Sequence, residues 1–198
     1  MDAKTLVFFG KSGSGKGTQA KLLIDCLKGK GDKEVLYMET GARLRDFALG
    51  DGLSNKLTKE VMEHGKLMPE FLPVWIWSDF LLKQYTGNEH LILDGVSRRI
   101  HEASILTSAF KFYGVKNPHI VYLNTSRQFS YDLMKARGRK DDTDEYINSR
   151  LDWFEKEVLP VIEHFRSDPY YTFLDINGER SIEEVQQDII KQVCGEER

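Results

Sequence analysis

One stretch, Gly10-Lys11-Ser12-Gly13-Ser14-Gly15-Lys16-Gly17-Thr18, constrains the fold more than any other part of the chain. An apolar run of strand formers, Thr5-Leu6-Val7-Phe8-Phe9, precedes it. Gln19 to Leu27 follow, with apolar residues at helical spacing. Strand, glycine-rich turn and helix in that order let backbone N–H groups converge on an anion, and the helix N-terminus adds partial positive charge. Gly10, Gly15 and Lys16 meet the spacing of a phosphate-binding loop. Lys16 brings a full charge on a flexible stem towards the β- and γ-phosphates of a nucleotide. The loop departs from the general pattern at one position: Gly17 stands where Ser or Thr usually meets magnesium, and Thr18 comes one later.

Four further apolar runs read as strands: Glu34–Tyr37, Leu91–Leu93, His119–Leu123 and Tyr171–Leu174. Helical patterns separate them. That alternation predicts an α/β fold, a three-layer sandwich around a five-stranded parallel sheet. The 198 residues suffice for one well-buried core, and no repeat or linker divides them, so one domain over 1–198 is expected. Two stretches interrupt the rhythm. About 50 residues lie between the second and third strands, far more than one crossover helix needs. They hold three helical pieces, Ala42–Leu49, Leu53–His64 and Pro69–Gln84, the first with Thr40 as its N-cap. The second interruption, Arg137–Asp142, precedes a long helix from about Thr143 to Phe165. Asp142 with Glu145 reads as its capping box, and Ile147, Leu151, Phe154, Val158 and Ile162 form its apolar stripe.

Composition narrows the class of partner. A formal charge of −3 makes no electrostatic case for nucleic acid or a membrane surface. No apolar run approaches the roughly 18 residues of a membrane helix, and Met1-Asp2-Ala3-Lys4 leads into the first strand without a signal-peptide core. Cys26 and Cys194 make neither a disulfide framework nor a four-ligand zinc site, and the five histidines lack metal spacing. The expectation is a cytoplasmic protein without zinc.

Candidate chemistry sits at six more places. Asp94 ends the apolar run Leu91-Ile92-Leu93, where, beside a phosphate loop, it can hold magnesium through waters. Gly95-Val96-Ser97-Arg98-Arg99 follows it. The first interruption carries Thr40-Gly41-Ala42-Arg43-Leu44-Arg45 and Gly65-Lys66-Leu67-Met68-Pro69. The second carries Arg137-Gly138-Arg139, then Asp141-Asp142, then Arg150 eleven residues after Arg139. Gly178 follows the last strand.

In order and spacing, these motifs resemble those of adenylate kinases and their nucleoside monophosphate kinase relatives, in a short-lid form. The family patterns are G-x-x-G-x-G-K-G-T, T-G-x-x-L-R, G-x-L-V-P, G-F-P-R and G-R-x-D-D. The resemblance covers nearly the whole chain. It implies a core of 1–39, 70–136 and 151–198, a helical NMP-binding insertion of 40–69, a short lid of 137–150, and a monomer. It implies that ATP with Mg2+ lies on Gly13, Ser14, Gly15, Lys16, Gly17, Thr18, Arg137 and the backbone of Gly178. The acceptor would lie on Thr40, Gly41, Arg45, the backbone of Lys66, Leu67 and Met68, and on Gly95, Arg98, Glu102, Arg139 and Arg150. Lys16, Arg98, Arg137, Arg139 and Arg150 would surround the moving phosphoryl group, converting ATP and AMP reversibly into two ADP.

This chain departs from the family at three points. Val96-Ser97 replaces Phe-Pro, and Leu133 stands where an arginine stacks on the ATP base. Glu102 replaces the glutamine that both donates to adenine and accepts from it. A carboxylate accepts without donating and suits a guanine edge better, so another acceptor (GMP, CMP or UMP) stays open beside AMP.

Overall fold

The computed structural model describes residues 2–31, 33–139 and 142–195. Among them five strands, β1 (Thr5–Gly10), β2 (Val35–Glu39), β3 (His90–Asp94), β4 (His119–Asn124) and β5 (Thr172–Asn177), form one sheet in the order β2-β3-β1-β4-β5. Every pairing is parallel. Each run read as a strand is one, with its ends shifted by a few residues.

Side chains alternate across the sheet, so an apolar run can be buried on both faces only if both are covered. In β1, Leu6 and Phe8 pack with Ala20, Leu23 and Leu27 of α1 (Lys16–Gly29) and Val185, Ile189 and Val193 of α9 (Ile182–Cys194). Val7 and Phe9 face the other way. They join Trp77 and Phe80 of α4 (Phe71–Gln84), Leu106 and Phe110 of α5 (Ile100–Phe112), and Ile162 and Phe165 of α8 (Leu159–Ser167). This is the three-layer sandwich expected from the sequence.

The first interruption forms α2 (Thr40–Phe47) and α3 (Leu53–Glu63). Leu44, Met68, Leu72 and Ile76, with Phe47, Val61 and Met62 against them, make a small core between these helices and α4. Thr40 is the first helical residue rather than the N-cap: Glu39 takes that position, and the Thr40 side chain turns inward at 1% exposure. Helix α3 closes with the left-handed Gly65, whose N–H donates to the Met62 carbonyl at 3.0 Å. The Lys66 N–H donates to the Val61 carbonyl at 3.1 Å, completing a Schellman closure.

Helix α6 (Arg127–Arg137) and helix α7 (Asp144–Trp153) pack through Met134, Ile147 and Leu151. One π-helical turn, Phe154–Val158, joins α7 to α8. The stripe Ile147, Leu151, Phe154, Val158 and Ile162 is buried throughout. The N-cap of α7 is Thr143, whose hydroxyl accepts from the Tyr146 N–H at 3.3 Å, and not Asp142. Asp142 is instead engaged by arginines, whose charge-assisted bonds outweigh a neutral cap. Lys140 and Asp141 of that motif lie outside the described residues. No helix among the described residues is long and apolar enough to cross a membrane.

Candidate active site

In an open parallel sheet, ligands bind beyond the carboxyl ends of the strands, where the connections diverge to opposite sides. The register aligns those ends here. Phe8 pairs with Asp94, Asp94 with Glu39, and Gly10 with Leu123. A cleft of about 460 Å³ opens above them.

The loop Gly10–Thr18 forms one wall of the cleft from Ser12 onward. Lys16 folds back across the loop, its Nζ donating to the carbonyls of Gly10 at 2.8 Å and Lys11 at 2.9 Å. Burial lowers its pKa to about 8, and the nearby Asp94 carboxylate opposes the shift. Gly13 (φ +80°) is forced by close approach: a Cβ there would overlap the Ser130 carbonyl oxygen of α6 and reach 3.0 Å from Met134 Cγ. Lys11, which no motif singles out, donates from Nζ to the Thr125 carbonyl at 2.8 Å and lies 5.2 Å from the Phe154 ring centroid. It straps the loop to the end of β4.

Asp94 lies on the cleft floor at 5% exposure. Burial raises its pKa, with Lys16 pulling the other way. Its Oδ2 accepts a long hydrogen bond of 3.4 Å from the Tyr37 hydroxyl. A strand-end carboxylate with spare acceptor capacity fits a magnesium ion held through waters. No group of three His, Cys, Asp or Glu side chains converges among the described residues, so phosphates and water would supply most of the shell.

Cations dominate the remaining lining. Arg45, Lys66, Arg98, Arg137, Arg139 and Arg150 all reach the cleft, with Lys21, against the acids Glu39 and Asp94. Such an excess raises the local concentration of polyanions. Asp142 organises three of the arginines. Its Oδ2 accepts from Arg137 Nε at 2.9 Å and from the Arg139 N–H at 3.2 Å. Its Oδ1 accepts from Arg137 Nη2 and Arg150 Nη1, both at 2.8 Å. The Asp142 side chain is wholly inaccessible, and its pKa is held below the usual carboxylate range against the cost of burial. Arg45 is oriented separately, donating to Glu39 Oε1 at 2.9 Å.

The turn after β3 shows what replaces the family's proline. Ser97 adopts a left-handed backbone (φ +58°), and the Arg98 N–H donates to Glu102 Oε2 at 2.9 Å. Glu102 is 1% exposed, its Oε1 has no hydrogen-bond partner among the described residues, and burial raises its pKa. The Glu102 carboxylate thus closes the turn that presents Arg98. It does not line the cleft, where the sequence placed it as a reader of the acceptor base.

Four other expected residues are also absent from the cleft lining. Thr40 points inward towards Met38 Sδ at 3.8 Å, and Leu67 is excluded while its neighbours Lys66 and Met68 line the cleft. Gly95 lines a separate cavity of about 30 Å³ shared with Lys16 and Arg98. Gly178 sits against the end of β4, its N–H donating to the Asn124 carbonyl at 2.9 Å. Gly13 through Thr18, Gly41, Arg45, Lys66, Met68, Asp94, Arg98, Arg137, Arg139 and Arg150 are brought together. Leu133 lines the cleft where the family has an arginine. Sequence reading missed Glu39, Trp153 and Arg99. Arg99 Nη1 donates to the Met68 carbonyl at 2.6 Å and ties the end of the insertion to α5. The doubled arginine at 98–99 was the available signal.

Comparison with known proteins agrees with this geometry. The family model described as adenylate kinase matches residues 8–169. An adenylate kinase of Prochlorococcus marinus is 30% identical over 94% of this chain and 96% of its own length. Adenylate kinase 1 of a Nostoc species is also 30% identical, over 93% and 95%. One from Corynebacterium aurimucosum is 31% identical, over 91% and 94%. A phosphate loop, a strand-end aspartate and arginines from two interruptions meet in one cleft, and the match spans most of the fold: the chain belongs to the adenylate kinase family.

Proposed function

We propose that the protein transfers the γ-phosphoryl group of ATP reversibly to AMP, forming two ADP. The observation that carries this reading is the gathering of five arginines from three separate stretches (Arg45; Arg98; Arg137, Arg139 and Arg150) in one cleft with the phosphate loop. One nucleotide does not need so many guanidinium groups. Two facing phosphate chains do.

In this reading Gly13 through Thr18 hold the donor phosphates, and Lys16 neutralises the β- and γ-phosphates. Gly41, Arg45, Lys66, Met68 and Arg98 hold the acceptor, with its phosphate on the two arginines. The bond from the γ-phosphorus to the bridging oxygen breaks, and ADP leaves with the electron pair. A bond forms from an AMP phosphate oxygen to the same phosphorus. That oxygen is already anionic, so no general base is needed. Arg137 and Arg150, oriented by Asp142, spread the developing charge together with Arg139, whose backbone Asp142 holds. Asp94 would hold magnesium through waters, and the ion would add charge neutralisation on the phosphates. The segments 40–69 and 137–150 close over the core to exclude water that would otherwise hydrolyse ATP.

A coupled assay of ADP formation from ATP with AMP, GMP, CMP or UMP tests the assignment. AMP is expected to exceed each of the others by at least tenfold in kcat/KM. A preference for GMP or a pyrimidine nucleotide would overturn the acceptor, and no ADP from any of them would overturn the reaction.

A further inference from the structure

We propose that Trp153 is a positioning residue that locks the acceptor turn at Gly65 to the guanidinium of Arg98. The inference rests on the proposed acceptor site. Trp153 ends α7 and lines the cleft. Its indole N–H donates to the Gly65 carbonyl at 3.0 Å, and its ring lies 5.4 Å from the Arg98 guanidinium carbon. One side chain therefore touches both elements that would hold the acceptor, although neither is its neighbour in sequence.

The turn is docked, not merely adjacent. The Ser149 hydroxyl donates to the same Gly65 carbonyl at 3.4 Å. A Cβ on Gly65 would come within 2.9 Å of the Tyr146 carbonyl oxygen and 3.0 Å of Tyr146 Cβ, so the turn and α7 meet backbone to backbone. The Gly65 carbonyl is thus held from α7, while the N–H groups of Gly65 and Lys66 are held by α3. That peptide cannot rotate without breaking bonds on both sides. The same helix carries Arg150, which Asp142 joins to Arg137. Helix α7 is therefore the body on which the acceptor turn and the lid arginines are set in register, with Trp153 as its contact to Arg98. The indole face holds the cation in place through the ring's quadrupole, beside the carboxylates of Asp94 and Glu102.

Trp153→Phe keeps a ring face under Arg98 and removes the N–H to Gly65. We expect KM for AMP to rise about three- to tenfold, with kcat and KM for ATP within about twofold of the unaltered protein. Without nucleotide, amide hydrogen exchange in the peptide spanning 61–70 is expected to quicken at least fivefold. Trp153→Leu also removes the ring face, and kcat is expected to fall at least tenfold. An unchanged KM for AMP, an equal rise in KM for ATP, or unchanged exchange in Trp153→Phe overturns the inference. Normal kcat in Trp153→Leu overturns its Arg98 limb. Failure of the unaltered protein to form ADP from AMP would overturn the function proposed above. The exchange measurement still judges the seam in that event.

Discussion

Lys16 is the residue whose chemistry is most altered by its surroundings. Its ammonium folds back onto the loop carbonyls at the edge of the cleft, and burial brings its pKa from 10.5 down to about 8. The proposed reaction uses the charged form, so kcat/KM for ATP is expected to fall as pH rises through about 8, since that ratio reports ionisations of the free enzyme. A profile that stays flat to pH 9.5 would show that Lys16 keeps its proton. The same shift has a second consequence of opposite sign. Between about 8 and 10.5 the unfolded chain holds the proton that the fold has released, so this group's contribution to stability improves with rising pH over that window. Below about pH 8 both states are protonated and the cost of burying the ammonium is borne in full. Lys16 was plain in the sequence because its motif is local. Its depressed pKa was not, because burial comes from residues that arrive from β3 and the second interruption.

At the scale of elements, the phosphate loop is shaped as much by α6 as by its own glycines. Gly13 has no room for a Cβ against Ser130 and Met134. Gly13→Ala is therefore expected to weaken ATP binding at least tenfold, about 1.4 kcal/mol, as read by isothermal titration with a non-hydrolysable analogue. Unchanged affinity would mean that the loop adapts independently of α6. The sequence marked this glycine through its pattern, without naming the helix that makes it necessary. The second interruption shows the converse. Arg137, Arg139 and Arg150 were recognisable from the resemblance of their motif to the family's, whereas Asp142 was mistaken for a helix cap. Both roles need an acid just before a helix, and only the position of the arginines separates them.

For the whole molecule, stability depends on the two apolar layers either side of the sheet. Phe165 is fully buried, with ring centroids 5.5 Å from Phe9 and 4.7 Å from Tyr171. It ties α8 to β1 and to the chain entering β5. Phe165→Ala is expected to cost about 3–5 kcal/mol, lowering Tm by roughly 10 °C for a chain of this size. Thermal unfolding followed by circular dichroism measures this, and a loss under about 1 kcal/mol would mean that the layer repacks into the space.

Short-range pattern was enough to determine the five strands, the layers that cover them and the phosphate loop, while the arginines of the cleft were picked out through the resemblance of their motifs to the adenylate kinase family. Apolar periodicity and glycine spacing act within one element, where neighbours in sequence are neighbours in space. Only the tertiary structure decided which side chains meet across elements. It set Glu102 on the Arg98 amide, gave Asp142 to the arginines, strapped the loop with Lys11, and placed Trp153 between Gly65 and Arg98. Those pairings depend on strand register and on the angles at which helices pack, which no window of adjacent residues contains.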